Sequence, residues 1–154
     1  MAAMADRHFE AADIRPMTLA DYDAVLHLMQ HTPGVVVREA DSREGISRYL
    51  QRNPGLSFVA VAANRIVGCA MCGHDGRRGY LQHVLVLPDY RQQGISRELV
   101  QHCLDGLTRQ GIYKCHLDVL AENLAAQDYW THLGWKARTD IRRYSFIMQG
   151  GENS

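Results

Sequence analysis

Val84-Leu85-Val86-Leu87-Pro88-Asp89-Tyr90-Arg91-Gln92-Gln93-Gly94-Ile95-Ser96 is the stretch on which the fold turns. An apolar run closed by Pro88 reads as a strand. A short polar turn follows, and Gly94 opens a segment with Ile95, Leu99, Cys103, Leu104 and Leu107 at helical spacing, stopped by Gly111. A helix N-terminus carries about four unpaired backbone N–H groups and a partial positive charge. With a glycine that lets a ligand come close to the backbone, this makes a phosphate site that needs no lysine. The plainer alternative is a strand-to-helix turn whose glycine serves geometry alone. The stretch is not a P-loop, since no Gly-Lys-Ser/Thr follows, and Gly94 alone does not make the three-glycine dinucleotide fingerprint.

Upstream, residues 80–87 form the strand itself, preceded by the polar connection His74-Asp75-Gly76-Arg77-Arg78-Gly79. Residues 56–63 and 65–73 flank a tight turn at Ala63-Asn64-Arg65 and read as a hairpin. Nearer the N-terminus, Ile14-Arg15-Pro16-Met17 predicts a short strand. Thr18 or Asp21 then caps a helix bearing Leu19, Tyr22, Val25, Leu26 and Met29. Residues 31–41 are ambiguous between loop and short strand. Ser42 with Gly45, Ile46, Tyr49 and Leu50 predicts a second helix, ended by Asn53-Pro54-Gly55. Downstream, residues 112–120 predict a strand. Asn123 starts a helix through Ala126, Tyr129, Trp130 and Leu133 that ends at Gly134, and residues 135–148 predict one last strand or a bent pair. Strands interleaved with helices give an α/β or α+β class with a mixed sheet. The expected organisation is a tail at 1–13, one domain at 14–148 and a second tail at 149–154.

The 154 residues suit one domain, too few for an eight-unit barrel or a long repeat array. Lys plus Arg and Asp plus Glu are both 17, so the balance argues against a nucleic-acid partner and an anionic membrane surface. No stretch nears the roughly 18 apolar residues of a membrane span. Residues 1–13 include Asp6, Arg7, His8 and Glu10 and no apolar signal core, so the chain is expected in the cytoplasm. Cys69 and Cys72 sit three apart on an expected strand and point to opposite faces, which suits buried free thiols better than a shared metal. No metal site is expected.

The run Val-Leu-Val-Leu-Pro-Asp-Tyr-Arg-Gln-Gln-Gly-Ile-Ser-Arg-Glu-Leu resembles the acetyl-CoA motif of the GNAT superfamily of N-acetyltransferases. That motif is Arg/Gln-x-x-Gly-x-Gly/Ala after a strand ending in Val-x-Pro. Asn123, Ala126, Tyr129, Trp130 and Leu133-Gly134-Trp135 resemble a second family motif, and Ile14-Arg15-Pro16 with Asp21 a third. The resemblance covers about residues 14–148. It implies a mixed, mainly antiparallel sheet of six to seven strands with about four helices, and a central parallel pair, 80–87 and 112–120, that splays apart. It further implies that the pantetheine arm pairs near Leu85 and Val86. The backbone from Arg91, Gln92, Gln93 and Gly94 through Ile95, Ser96 and Arg97 would hold the pyrophosphate, with Asn123 on the pantetheine side. Ser96 replaces the usual Gly or Ala; it is small, and its hydroxyl can donate to a phosphate.

The position where many relatives carry a tyrosine acid is Trp130 here, and indole N–H is no useful acid. Tyr129 is one residue earlier, about 100° around the helix. It is retained as a candidate acid and cofactor neighbour. A base is also needed, because the attacking amine must be neutral. His83, on the acetyl-site strand, is the leading candidate, since imidazole ordinarily titrates at about 6.5; a hydrogen-bonded structural histidine is the competing reading. Gln82 and Tyr80 are weaker candidates. Asp75, Arg77 and Arg78 on the connecting turn read first as a solvated, glycine-bearing turn, with contact to the acceptor as the other reading, and Arg38, Glu39 and Asp41 in the 33–43 region can set acceptor specificity. The resemblance thus implies acetyl transfer from acetyl-CoA to a primary amine of a small molecule or peptide. An acetyl-CoA-binding sensor with little catalysis is the other reading. Relatives in the family are often dimers, and residues 135–148 could extend a sheet across a second copy.

Overall fold

A computed structural model describes residues 11–154. The first ten residues of the expected N-terminal tail lie outside the described residues. The chain divides into two compact units, the second beginning at Leu117.

The first unit carries a five-stranded sheet in sequential order, β1 (Asp13–Pro16), β2 (Phe58–Ala62), β3 (Arg65–His74), β4 (Gly79–Val86) and β5 (Cys115–His116). The first four strands pair antiparallel, and β5 pairs parallel to β4. The hairpin expected at 63–65 is present. Ala63 and Asn64 both take left-handed backbone, at φ 50° and 60°, and this is the turn that matches the twist of two strands joined by two residues.

Helices α1 (Tyr22–Gln30) and α2 (Arg43–Arg52) lie on one face of the sheet, and α3 (Ile95–Arg109) lies on the other. The α1–α2 side buries Tyr22, Val25, Leu28, Met29 and Ile46 against Val59, Cys69, Met71 and Leu85. Leu99 and Cys103 of α3 are fully buried. The two-face prediction for the cysteines holds. Cys69 belongs to the α1–α2 core. Cys72 interacts with Cys103 and Cys115 instead, and all four thiols are free. Burial lifts the Cys69 thiol to about 12, which keeps it protonated and inert.

Local chemistry fixes the helix ends. Ser42 caps α2 by accepting from the Gly45 N–H at 3.1 Å. Helix α3 ends with the Gly111 N–H donating to Thr108 O and the Ile112 N–H to Leu107 O. This paired closure uses the orphan carbonyls and buries Ile112. Before α1, Asp21 accepts the Thr18 N–H at 2.9 Å and both guanidinium nitrogens of Arg15 at 2.8 Å.

Two expectations about strands are corrected. The strand predicted at 112–120 is regular only at Cys115–His116, and the segment 135–148 forms no strand. Among the described residues the sheet therefore has five strands rather than six or seven. A strand exists only by pairing, and within the second unit the 135–148 segment has no ladder partner. It interleaves Lys136, Arg138, Asp140, Arg142 and Arg143 with apolar residues. Two exposed ion pairs lie along it, Arg138 with Asp140 and Arg143 with Asp118.

The second unit holds α4 (Leu124–His132), where Asn123 Oδ1 caps the helix by accepting the Ala126 N–H at 3.1 Å. Its end repeats the α3 closure, with Gly134 N–H to Thr131 O, Trp135 N–H to Trp130 O, and the Trp130 and Trp135 rings 5.3 Å apart. Among the described residues no helix is long and apolar enough to cross a membrane.

Candidate active site

Strand β4 is used asymmetrically. Leu87 donates its N–H to Val67 O at 2.8 Å, so the alternation of an antiparallel ladder turns the Leu85 backbone toward β3 and the Val86 backbone away from it. At the other end of the strand, beyond the register shift between Cys69 and Met71 of β3, Gly79 faces outward, and its N–H reaches Lys114 O at 2.9 Å in the pairing with β5. That parallel ladder covers only Gly79 with Cys115 and Tyr80 with His116. Beyond Tyr80 the outward edge of β4 has no ladder partner among the described residues. Of the two residues expected beside a pantetheine arm, Val86 therefore presents its peptide to that edge and Leu85 does not. The Val86 carbonyl accepts from Arg91 Nε at 3.1 Å, which ties the start of the loop to the end of the strand.

The loop reaches α3 through a single 3-10 turn at Pro88–Tyr90. Gln92 at φ 62° and Gly94 at φ 80° are both left-handed. For Gln92 this is an uncommon conformation. A methyl group built on Gly94 meets nothing within 4 Å, so the glycine is required by its dihedral and faces open space. Gly94 is the N-cap of α3 and offers no capping side chain, and the ladder begins with Glu98 N–H to Gly94 O. The N–H groups of the first turn, with Arg91 and Arg97 close by in the chain, are donors of the kind that suits a phosphate. The residues fit a pyrophosphate.

His83 and Val84 together oppose Ala70, where the β3–β4 register shifts. This bulge reverses the side-chain alternation. Leu81 pairs with Cys72 on the α3 side, yet Leu85 pairs with Cys69 on the α1–α2 side. His83 has φ 48°, and its Nε2 lies 2.8 Å from Asp41 Oδ1. The two side chains are 16% and 8% exposed. Asp41 ends a 3-10 turn at Glu39–Asp41; its Oδ2 accepts the Arg38 N–H at 2.9 Å, and its carbonyl accepts the buried Tyr22 hydroxyl at 2.8 Å. Burial opposes ionisation of Asp41. The His83 and Arg38 hydrogen bonds and their charges outweigh it and hold the carboxyl below its usual range.

The other candidates are elsewhere. His74 Nδ1 accepts the Gly76 N–H at 3.0 Å, so Nε2 donates to Gln110 Oε1 at 2.7 Å. Asp75 accepts the Arg77 and Arg78 N–H groups at 2.8 Å, a turn-forming role. Gln82 is exposed, and Tyr80 meets His116 ring to ring at 5.8 Å. In the second unit Tyr129 is 38% exposed, edge-on to Trp130. Sequence reasoning missed the pairing of Asp41 with His83, and a separation of 42 residues leaves no local signal for it.

Two depressed carboxyls set an acid limit. The Arg15 hydrogen bonds hold Asp21 below its usual range, as His83 and Arg38 do Asp41. Each carboxylate therefore adds stability that is present above the unfolded value of about 3.9 and is lost as pH falls through the lower folded values. Thermal midpoints are expected to be flat near neutrality and to fall steeply below about pH 4. Asp21→Asn is expected to lower the neutral midpoint and flatten that fall.

The GNAT acetyltransferase family model matches residues 22–135. The N-alpha-acetyltransferase 30 of Schizosaccharomyces pombe is 30% identical over 116 residues, 69% of this chain and 77% of that protein. The chain belongs to the GNAT family. An acetyltransferase of Sodalis glossinidius is 33% identical over 101 residues, 66% of this chain and 71% of that protein. Among solved structures, an aminoglycoside N-acetyltransferase in complex with CoA superposes with TM-score 0.71 at 22% identity, over 92% of this chain and 99% of that one. The ribosomal-protein-S18-alanine N-acetyltransferase of Escherichia coli gives 0.68 at 24%, over 83% and 79%. GNAT membership makes the protein an acyltransferase.

Proposed function

We propose that this GNAT protein transfers acetyl from acetyl-CoA directly to a primary amine, without a covalent enzyme intermediate. The observation that carries this reading is the continuity of the outward Val86 peptide with the cradle at Gln92, Gln93, Gly94, Ile95, Ser96 and Arg97. One strand-turn-helix thus holds both ends of a thioester cofactor. The first turn of α3 binds the pyrophosphate, and the family resemblance adds Asn123 and Tyr129 to the residues that hold the cofactor. The Val86 N–H donates to the thioester carbonyl as negative charge develops there. The amine nitrogen bonds to the acetyl carbon and the carbon–sulfur bond breaks. The amine loses one proton to His83, and the departing thiolate gains one from Tyr129 or solvent. Holding both reactants in one cleft supplies much of the rate.

A peptide α-amine is the first acceptor class to test, because the fission-yeast relative is named as an N-alpha-acetyltransferase. An aminoglycoside is the second. The protein is taken to act in the cytoplasm, without metal.

Thermal unfolding with acetyl-CoA and with CoA comes first. Ligand at about a hundred times its Kd stabilises the fold by about 2.7 kcal/mol, a rise of several degrees at this size. Thiol release is then read with a short peptide bearing a free N-terminus, the same peptide N-acetylated but with an internal lysine, kanamycin and spermidine. No thermal shift with either ligand overturns the cradle assignment. A shift without release for any amine favours a binding module over a catalyst. Unchanged release by Tyr129→Phe removes that hydroxyl from the mechanism.

A further inference from the structure

We propose that Asp41 is a positioning residue for His83: it fixes the imidazole in the Nε2–H tautomer and leaves Nδ1 as the atom that takes the amine proton. The inference rests on the acetyl-transfer reading above and adds the residue through which segment 38–42 takes part in it.

Three observations carry it. The first is geometric. His83 Nε2 and Asp41 Oδ1 are 2.8 Å apart, and both side chains are largely shielded from water. The second is the bookkeeping of donors. An ionised carboxylate only accepts, so the nitrogen facing it carries the proton. A neutral His83 then has one basic atom, Nδ1. Asp41 is itself held on each side, its Oδ2 by the Arg38 N–H and its carbonyl by the Tyr22 hydroxyl. It is a fixed reference against which the ring is set. The third is the backbone. An extra residue in β4 and a left-handed His83 bring this side chain to the α1–α2 face, where Asp41 stands. A strand without the bulge carries the alternation at Leu81 on to position 83 and points that side chain at the α3 face. The strained position is therefore what joins His83 to its carboxylate.

In the reaction the amine nitrogen forms its bond to the acetyl carbon, and its surplus proton passes to His83 Nδ1. The resulting imidazolium remains hydrogen-bonded to Asp41 through Nε2 and releases its proton to water after the product leaves. No oxidant, metal or further reactant enters.

The competing account is a bolt that merely joins the Glu39–Asp41 turn to the sheet. Asp41→Asn distinguishes the two, since the amide has one oxygen: while it accepts the Arg38 N–H only an N–H donor faces His83, and when it turns its oxygen to His83 the Arg38 N–H loses its acceptor. Ring 15N shifts of His83 are measured in the acetyl-CoA-bound protein. Initial rates are read as thiol release with the best amine of the panel and as acetyl-CoA hydrolysis without amine, which asks the same base to take a proton from water. The wild-type ring is expected as Nε2–H, and Asp41→Asn is expected to mix the tautomers. Its kcat is expected to fall by about ten-fold or more, a part of the roughly hundred- to ten-thousand-fold that general-base catalysis supplies, with the KM for acetyl-CoA unchanged. Asp41→Asn combined with His83→Gln is expected to be no slower than His83→Gln alone. A wild-type Nδ1–H tautomer, which needs no variant at all, overturns the proposal. So does an equal loss from Asp41→Asn when His83 is already glutamine. Wild-type rates in His83→Gln, with the acetyl-CoA thermal shift intact, overturn the role of His83 itself and leave the cofactor reading standing.

Discussion

Gly94→Asp is expected to weaken acetyl-CoA by about a hundred-fold, about 2.7 kcal/mol, while leaving the unliganded protein close to its original stability. The two halves of this expectation have different sources. Placing a side chain at φ 80° costs about 1 kcal/mol, and aspartate tolerates that region better than most residues. A negative charge at a helix N-terminus returns about 0.3–1 kcal/mol of it. The carboxylate then faces the open space beside the first-turn N–H groups, where a pyrophosphate would sit. Like charges meet there, and the backbone donors turn to the wrong acceptor. Calorimetric titration with CoA, beside the thermal midpoint without ligand, checks both halves. A retained thermal shift in this variant removes the pyrophosphate from the α3 N-terminus.

Gly45→Ala is the second large effect, and it acts on stability. A methyl group on Gly45 runs into the backbone carbonyl of Ala40, which has no flexible side chain to swing aside. Alanine favours a helix interior by about 1 kcal/mol over glycine. Overpacking against a rigid backbone costs about 1–3 kcal/mol. The clash, against backbone, is expected to win, with a net loss of up to about 2 kcal/mol in denaturant midpoint experiments. Ala40 lies within the Glu39–Asp41 turn, so the displacement reaches Asp41. The variant is expected to lose turnover while keeping its acetyl-CoA thermal shift. A stable and fully active Gly45→Ala protein contradicts the close approach.

How much of this was legible in the sequence depended on how local the cause was. The strand-turn-helix around Gly94, the hairpin at Ala63-Asn64 and the helix ends at Gly111 and Gly134 each depend on a few neighbouring residues, and each was read. The fold class followed from their order. The extent of β5 and the fate of residues 135–148 depend on which backbone finds a partner, and apolar patterning does not settle that. Tyr144 and Phe146 are 90% and 89% exposed, although their spacing suits a buried strand. The His83 bulge is one residue out of register across a pair of strands, visible only once β3 and β4 are aligned. Arg91 was read for its place in the loop, and its grip on the Val86 carbonyl emerged only from the turn geometry.

The sheet also carries a history of assembly in its connectivity. β2, β3 and β4 are joined by a two-residue turn and by the short Asp75–Arg78 corner, whereas β1 must wait for some forty intervening residues to be ordered before it meets β2. Closing short loops sacrifices less chain entropy than closing long ones. The meander of three strands is therefore the natural nucleus, and β1 and β5 are later additions at its flanks. Amide protons of Val67, Cys69 and Leu85 should exchange last, and those of β1 and β5 should escape first through partial openings. The strand that presents Val86 thus belongs to the most persistent part of the molecule, so the edge proposed to hold the thioester outlasts the frame around it.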